Sequence, residues 1–179
     1  NVTKWLAPEW LDIACKNPVV LFLDEVDRAT LEVRQGIFEL CDSRKIAGHT
    51  LHPDTLIFAC VNGGQHGSEY QVNEFDPAEL DRYTVFDVEP TVEDWLAWAE
   101  GNVCGEIWDF INHNHNHLEH KDTYEPNKIY PSRRSWERLS NALDKVGSVK
   151  HGTTLYHLAH AFIGFEGAMA FNDYVKNYC

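Results

Sequence analysis

The segment Val19-Val20-Leu21-Phe22-Leu23 runs without polar alternation straight into two adjacent carboxylates, Asp24 and Glu25. An apolar run of this kind reads as a strand covered on both faces, as in a parallel sheet sandwiched between helices. It is far too short to span a bilayer. A second run, Leu56-Ile57-Phe58-Ala59-Cys60-Val61, has the same character, and Thr84 to Val88 reads as a third, shorter strand. The intervening stretches carry a helical period. Trp5 to Lys16 has Trp10, Leu11 and Ala14 at helical spacing, and residues 29–43 continue it through Leu31, Val33, Ile37, Phe38 and Leu40. Arg44 to Asp54, with Gly48 and Pro53, predicts a hairpin-like excursion, and a short helix is expected around Pro77 to Asp81. Strands separated by helices indicate an α/β layered core.

Pro90 changes the texture of the chain. Beyond it only helical patterns occur, at 91–100, 103–113, 132–146 and 153–177, with breaks at Gly101 and Gly147 and a polar loop from His113 to Tyr130. The expected organisation is an α/β, parallel-sheet core over residues 1–90 followed by an all-helical domain over 91–179. The 15 Lys and Arg against 28 Asp and Glu give the 179 residues a formal charge of −13. Such an acidic surface argues against sequence-independent nucleic-acid binding and against docking on anionic membranes. The five cysteines are scattered singly, without a CxxC pair, which fits a reduced, cytoplasmic compartment.

Four places carry candidate chemistry, each with a plainer alternative. Asp24 and Glu25 stand where open α/β sheets bind ligands, at the carboxyl end of a strand. An Asp there suits Mg²⁺ held through its waters, and the neighbouring Glu suits polarisation of a water for attack on a phosphoryl group. Equally, the pair can cap the next helix. Asn62, directly after the second strand, can orient a water or a terminal phosphate, or it is a turn residue before Gly63-Gly64. Arg82 ends the short helix and is placed to reach a neighbouring molecule, or it pairs on the surface with Asp81 or Glu79. In Pro131-Ser132-Arg133-Arg134-Ser135-Trp136 an arginine in a first helical turn opposes the helix dipole but suits an anion; a solvated basic pair is the alternative.

His113, His115, His117 and His120 add a possible Zn²⁺ or Ni²⁺ set, with three imidazoles on one side if the segment is extended, against a polar lid loop. Trp95 and Trp98, and Tyr156, Phe162, Phe165, Phe171 and Tyr174, read as core. Cys60 reads as a buried strand residue with no base to activate it.

The order of these elements resembles the AAA+ ATPases, most closely the MoxR-like group. Leu21 to Ala29 (LFLDEVDRA) resembles that family's Walker B segment, and Val33 to Asp54, with Gln35, Arg44 and Leu51, the helix and hairpin after it. Glu69 to Tyr83 (EYQVNEFDPAELDRY) is similar to the stretch ending in the arginine finger, while Glu93-Asp94-Trp95-Leu96 and Ser132 to Trp136 resemble the helical lid. The resemblance implies an ATP-hydrolysing motor or chaperone, ATP and Mg²⁺ as cofactors, and a ring of identical subunits, a hexamer. It also implies a remodelled protein partner, of the kind that often carries a von Willebrand A domain. Asp24 would then coordinate Mg²⁺ through water, Glu25 would be the catalytic base and Asn62 sensor 1. Arg82 would be the finger acting on a neighbour's ATP. Arg134 would be sensor 2, preferred to Arg133 because it keeps the spacing to Trp136.

Gly63 stands where that family frequently has Pro, and Tyr83 where it has Phe. The larger departure is that no GxxxxGK[ST] occurs in the 179 residues; Gly63 to Ser68 is Gly-rich but lacks Lys and follows the wrong strand. The resemblance therefore implies a P-loop upstream of Asn1, a chain that is inactive alone, and an incomplete core with apolar surface exposed. The other readings are a non-hydrolysing AAA+-fold interaction subunit that lends Arg82 in trans, and a metal-binding regulatory domain resting on the histidines.

Overall fold

The computed structural model describes residues 6–62, 75, 77–147 and 149–178. The chain divides into two compact units, Asn1–Asp87 and Val88–Cys179.

The first unit is mixed α/β. Helix α1 (Glu9–Lys16) leads into strand β1 (Val20–Leu23), a 3₁₀ turn (Val26–Arg28) and helix α2 (Leu31–Ser43). A small antiparallel hairpin, β2 (Lys45–Ile46) and β3 (His49–Thr50), precedes strand β4 (Leu56–Ala59), and α3 (Pro77–Leu80) is a single turn. The hairpin closes through Ala47 and Gly48, whose φ values of 47° and 83° are the pair of positive angles a two-residue loop needs. β1 and β4 pair in parallel, with Val20 opposite Leu56, Leu21 opposite Ile57, Phe22 opposite Phe58 and Leu23 opposite Ala59. Leu21 and Ile57 pack on a core of Leu11, Ala14, Leu40 and Leu51 drawn from α1, α2 and the loop after the hairpin. Arg44 ends α2 with φ 56°, and its guanidinium donates to the carbonyls of His52 (3.2 Å), Pro53 (3.4 Å) and Thr55, which sets the chain up to enter β4.

Three expectations for this unit need correction. The unbroken apolar run predicts cover on both faces of β1, yet Val20 and Phe22 are each 61% exposed and their β4 partners Leu56 and Phe58 are 57% and 54% exposed. Period-two alternation turns these four side chains away from α1 and α2, and no described element packs on that side. Cys60, read as a buried strand residue, is exposed, because β4 ends at Ala59. Thr84 to Val88 forms no strand. Val85, Phe86 and Val88 are exposed, since β propensity needs a partner strand and none is paired there among the described residues.

The second unit is all-helical: α4 (Val92–Ala99), α5 (Gly105–His113), a 3₁₀ turn (His115–His117), α6 (Arg133–Val146) and α7 (Thr153–Lys176). Thr91 with Asp94, and Ser132 with Ser135, form reciprocal caps that start α4 and α6, and Gly147 at φ 80° ends α6. Phe110, Trp136 and Phe171 meet with ring centroids 5.4–5.6 Å apart in the centre of the unit, surrounded by Ile107, Ile111, Leu139 and Ile163. α7 is not one straight helix. Gly164, at φ 73° and ψ −177°, breaks it where the Ile129 carbonyl approaches. Trp98 (44% exposed) and Phe165 (58%) lie outside the core assigned to them, whereas Trp95 and Phe171 are buried. No helix among the described residues is long and apolar enough to cross a membrane.

Candidate functional site

The candidate site stands at the carboxyl end of the parallel pair. The ladder persists beyond the strands: Cys60 N–H donates to Leu23 O at 2.8 Å, and Val26 N–H donates back to Cys60 O at 3.3 Å. Between these two bonds the chain turns sharply. The Asp24 carboxylate accepts from the Glu25 N–H at 3.0 Å, and Glu25 adopts the left-handed conformation (φ 53°, ψ 40°). A non-glycine residue in that region is uncommon and carries a modest strain. The turn is closed by Arg28 N–H on Glu25 O (2.9 Å) and Ala29 N–H on Val26 O (3.1 Å). Both acidic side chains are exposed, and Glu25 lies 3.4 Å from Arg28.

Neither carboxylate caps the next helix, the alternative open from sequence. α2 begins only at Leu31, after Thr30, with no side-chain cap. Asn62 is exposed at the same end of the pair, and its backbone N–H donates to the Asp27 carboxylate at 2.9 Å. The fold therefore brings Asp24, Glu25 and Asn62 together, two residues leaving β1 and one leaving the chain after β4. The loop continuing from Gly63, and most of Glu69 to Asp76, lie outside the described residues.

Arg82 is held within its own unit. Its Nε donates to Asp42 on α2 at 2.7 Å, a terminal nitrogen donates to Ala78 O, and the guanidinium lies 5.5 Å from the centre of the Phe38 ring. Sequence reasoning offered Asp81 or Glu79 as a surface partner, but Glu79 is taken by Arg34 in a buried pair at 3.4 Å. The adjoining Tyr83 hydroxyl accepts from the Cys41 thiol at 3.5 Å; burial raises the pKa of the phenol and of the thiol above their ordinary values. Residues 77–83 are thereby fastened to α2.

In the helical unit the two candidate arginines have different surroundings. Arg133 is fully engaged, with Glu119 at 3.1 and 3.2 Å and with the carbonyls of Thr91 (2.8 Å) and Pro90 (2.7 Å). Arg134 is exposed and has no side-chain partner among the described residues. Of the two, only Arg134 is available to meet an anion.

The histidines do not line up as an extended segment would place them. His113 closes α5 with Nδ1 2.8 Å from Asp109 O, and His117 packs on Phe110 at 5.4 Å. Partial burial lowers the His117 pKa and so favours its neutral form. His120 stacks on Tyr130 at 3.9 Å. The helix end and 3₁₀ turn rotate successive side chains apart, and among the described residues no three His, Cys, Asp or Glu side chains converge on a common point.

Sequence reading passed over three residues that shape these places: Asp27, Asp42 and Glu119. Each looks like one more surface acid in an acidic chain; only the pairing across 35, 40 and 14 residues distinguishes them. No family model, no curated protein and no solved structure matches the chain.

Proposed function

We propose that the chain carries the water-activating side of an ATP-hydrolysing site, in an AAA+ motor of the MoxR-like kind that remodels protein partners as a ring. One observation carries this reading: Asp24, Glu25 and Asn62, drawn from separate strands, share one end of a parallel pair, where open α/β sheets bind ligands. Exposed carboxylate oxygens suit a hard, hydrated cation, so Asp24 would hold Mg²⁺ through its waters. The ion would offset charge on the phosphates. Glu25 would take the proton of the attacking water, and the Asn62 amide would orient that water or the terminal phosphate. Arg82 would act on the nucleotide of a neighbouring subunit after exchanging Asp42 for phosphate, and the exposed Arg134, in the first turn of α6, suits an anion.

The residues present fit the metal and the water, but not the phosphate cradle. Without GxxxxGK[ST] in the 179 residues, backbone amides and a lysine for the β- and γ-phosphates must come from other polypeptide. That same lack favours a second reading, an interaction subunit that keeps the fold and lends Arg82 without hydrolysing ATP itself.

Replacing Glu25 by Gln in the full-length protein separates the two. On the first reading turnover falls by about 10²-fold or more while ATP stays bound, the loss expected for a general base. Turnover at the wild-type rate in E25Q overturns the catalytic assignment. A wild-type protein that neither binds nor turns over ATP, with partner binding intact in E25Q, establishes the interaction subunit.

A further inference from the structure

We infer that Asp27 is a positioning residue that sets where Asn62 stands relative to Asp24 and Glu25. The inference rests on the reading above for what Asn62 does, but not for the contact itself. Asp27 is 1% exposed, buried as deeply as the core leucines of its unit. It lies in the 3₁₀ turn, one residue beyond the last backbone bond between the β1 and β4 segments, Val26 N–H to Cys60 O. At that point β1 has already turned away through the left-handed Glu25, so no carbonyl of β1 remains to receive the next N–H from the β4 side. Asp27 Oδ2 receives it instead, at 2.9 Å from Asn62 N. The side chain acts as a substitute rung, extending the ladder to Asn62.

Fold stability alone is a poor explanation for this choice of residue. A buried carboxylate is costly to desolvate, and Oδ1 is buried with no donor among the described residues. A carboxylate that is half unsatisfied serves packing worse than an amide or an apolar side chain of similar size. What it provides is a carboxylate acceptor for a single backbone N–H, at 2.9 Å. Two separate segments, the turn after β1 and the exit from β4, are thereby fixed against each other at the site.

The test has two arms in the full-length protein. Amide hydrogen exchange reads the contact directly. In Asp27→Ala the Asn62 amide should exchange about tenfold or more faster than in wild type, the loss expected for one such bond. In Asp27→Asn, whose side-chain oxygen can still accept, it should stay within a few-fold. If D27A does not fold, Asp27→Ser, too short to reach Asn62, replaces it. An Asn62 amide equally protected without the carboxylate overturns the inference. Steady-state ATP turnover reads the consequence. D27A and Asn62→Ala should each lower kcat with little change in the KM for ATP, and the double variant should be no slower than N62A alone, because both act through one group. Independent, multiplying losses reduce Asp27 to a structural role and overturn the inference. Wild-type turnover in N62A counts instead against the proposed role of Asn62, while the exchange arm still decides the Asp27 contact.

Discussion

Two ion pairs fasten residues 77–83 to α2, and they differ chiefly in their access to water. Arg34 and Glu79 have side chains only 8% exposed, and the Arg34 guanidinium also lies 5.1 Å from the Phe75 ring centre. Arg82 and Asp42 are 33% and 50% exposed. Removing one partner of a buried pair strands a desolvated charge, whereas a wet pair is largely replaced by solvent. Glu79→Ala should therefore lower stability by roughly 3 kcal/mol, and Asp42→Asn by less than about 1 kcal/mol, both read from urea unfolding monitored by circular dichroism. Equal losses would mean that depth is not what separates the pairs. Glu79 anchors the segment from a buried position, whereas the Arg82–Asp42 pair is open to water. None of this was legible in sequence, where Asp81 and Glu79 were the nearest candidate partners for Arg82.

At the level of elements, local signals were read more securely than pairings. Positions of α1, α2, α4, α5 and α6 follow from periodicity, with caps only at α4 and α6, and Gly147 ends α6 as a left-handed glycine does. α7 shows where that logic stops. Gly164 lies inside a helical pattern, and nothing in the neighbouring residues indicates that the Ile129 carbonyl will press against it. A Cβ on Gly164 would overlap that carbonyl, and the residue's φ of 73° disfavours any side chain. Gly164→Ala should destabilise the helical unit by about 3 kcal/mol or more, seen as a fall in its thermal midpoint followed by helical circular dichroism. An unchanged midpoint would mean that the break is not required. Thr84 to Val88 fails in the opposite direction: the strand signal is strong, but a strand exists only with a partner.

At the scale of the whole molecule, one side of the β1–β4 pair is packed by no described element of the first unit. Val20, Phe22, Leu56 and Phe58 form one apolar face, each more than half exposed. Exposed apolar surface of this kind drives association. The 179-residue chain alone should bind a hydrophobic dye and self-associate, and Phe22→Ser with Phe58→Ser should weaken both, as measured by dye fluorescence and sedimentation. A monodisperse wild-type chain that binds no dye would count against an open face. The sequence by itself determined the chain's division into an α/β part and a helical part, the positions of most helices, and the two strands that run into Asp24-Glu25 and Asn62. These are properties of local periodicity, turn chemistry and composition, which neighbouring residues set. Only the tertiary structure decided that one face of β1 is more than half exposed, that Asp27 bonds to Asn62, and that Arg133 is locked while Arg134 is exposed. Each of these depends on which segments meet in space, and burial and hydrogen-bond satisfaction are fixed by that meeting, not by residue type.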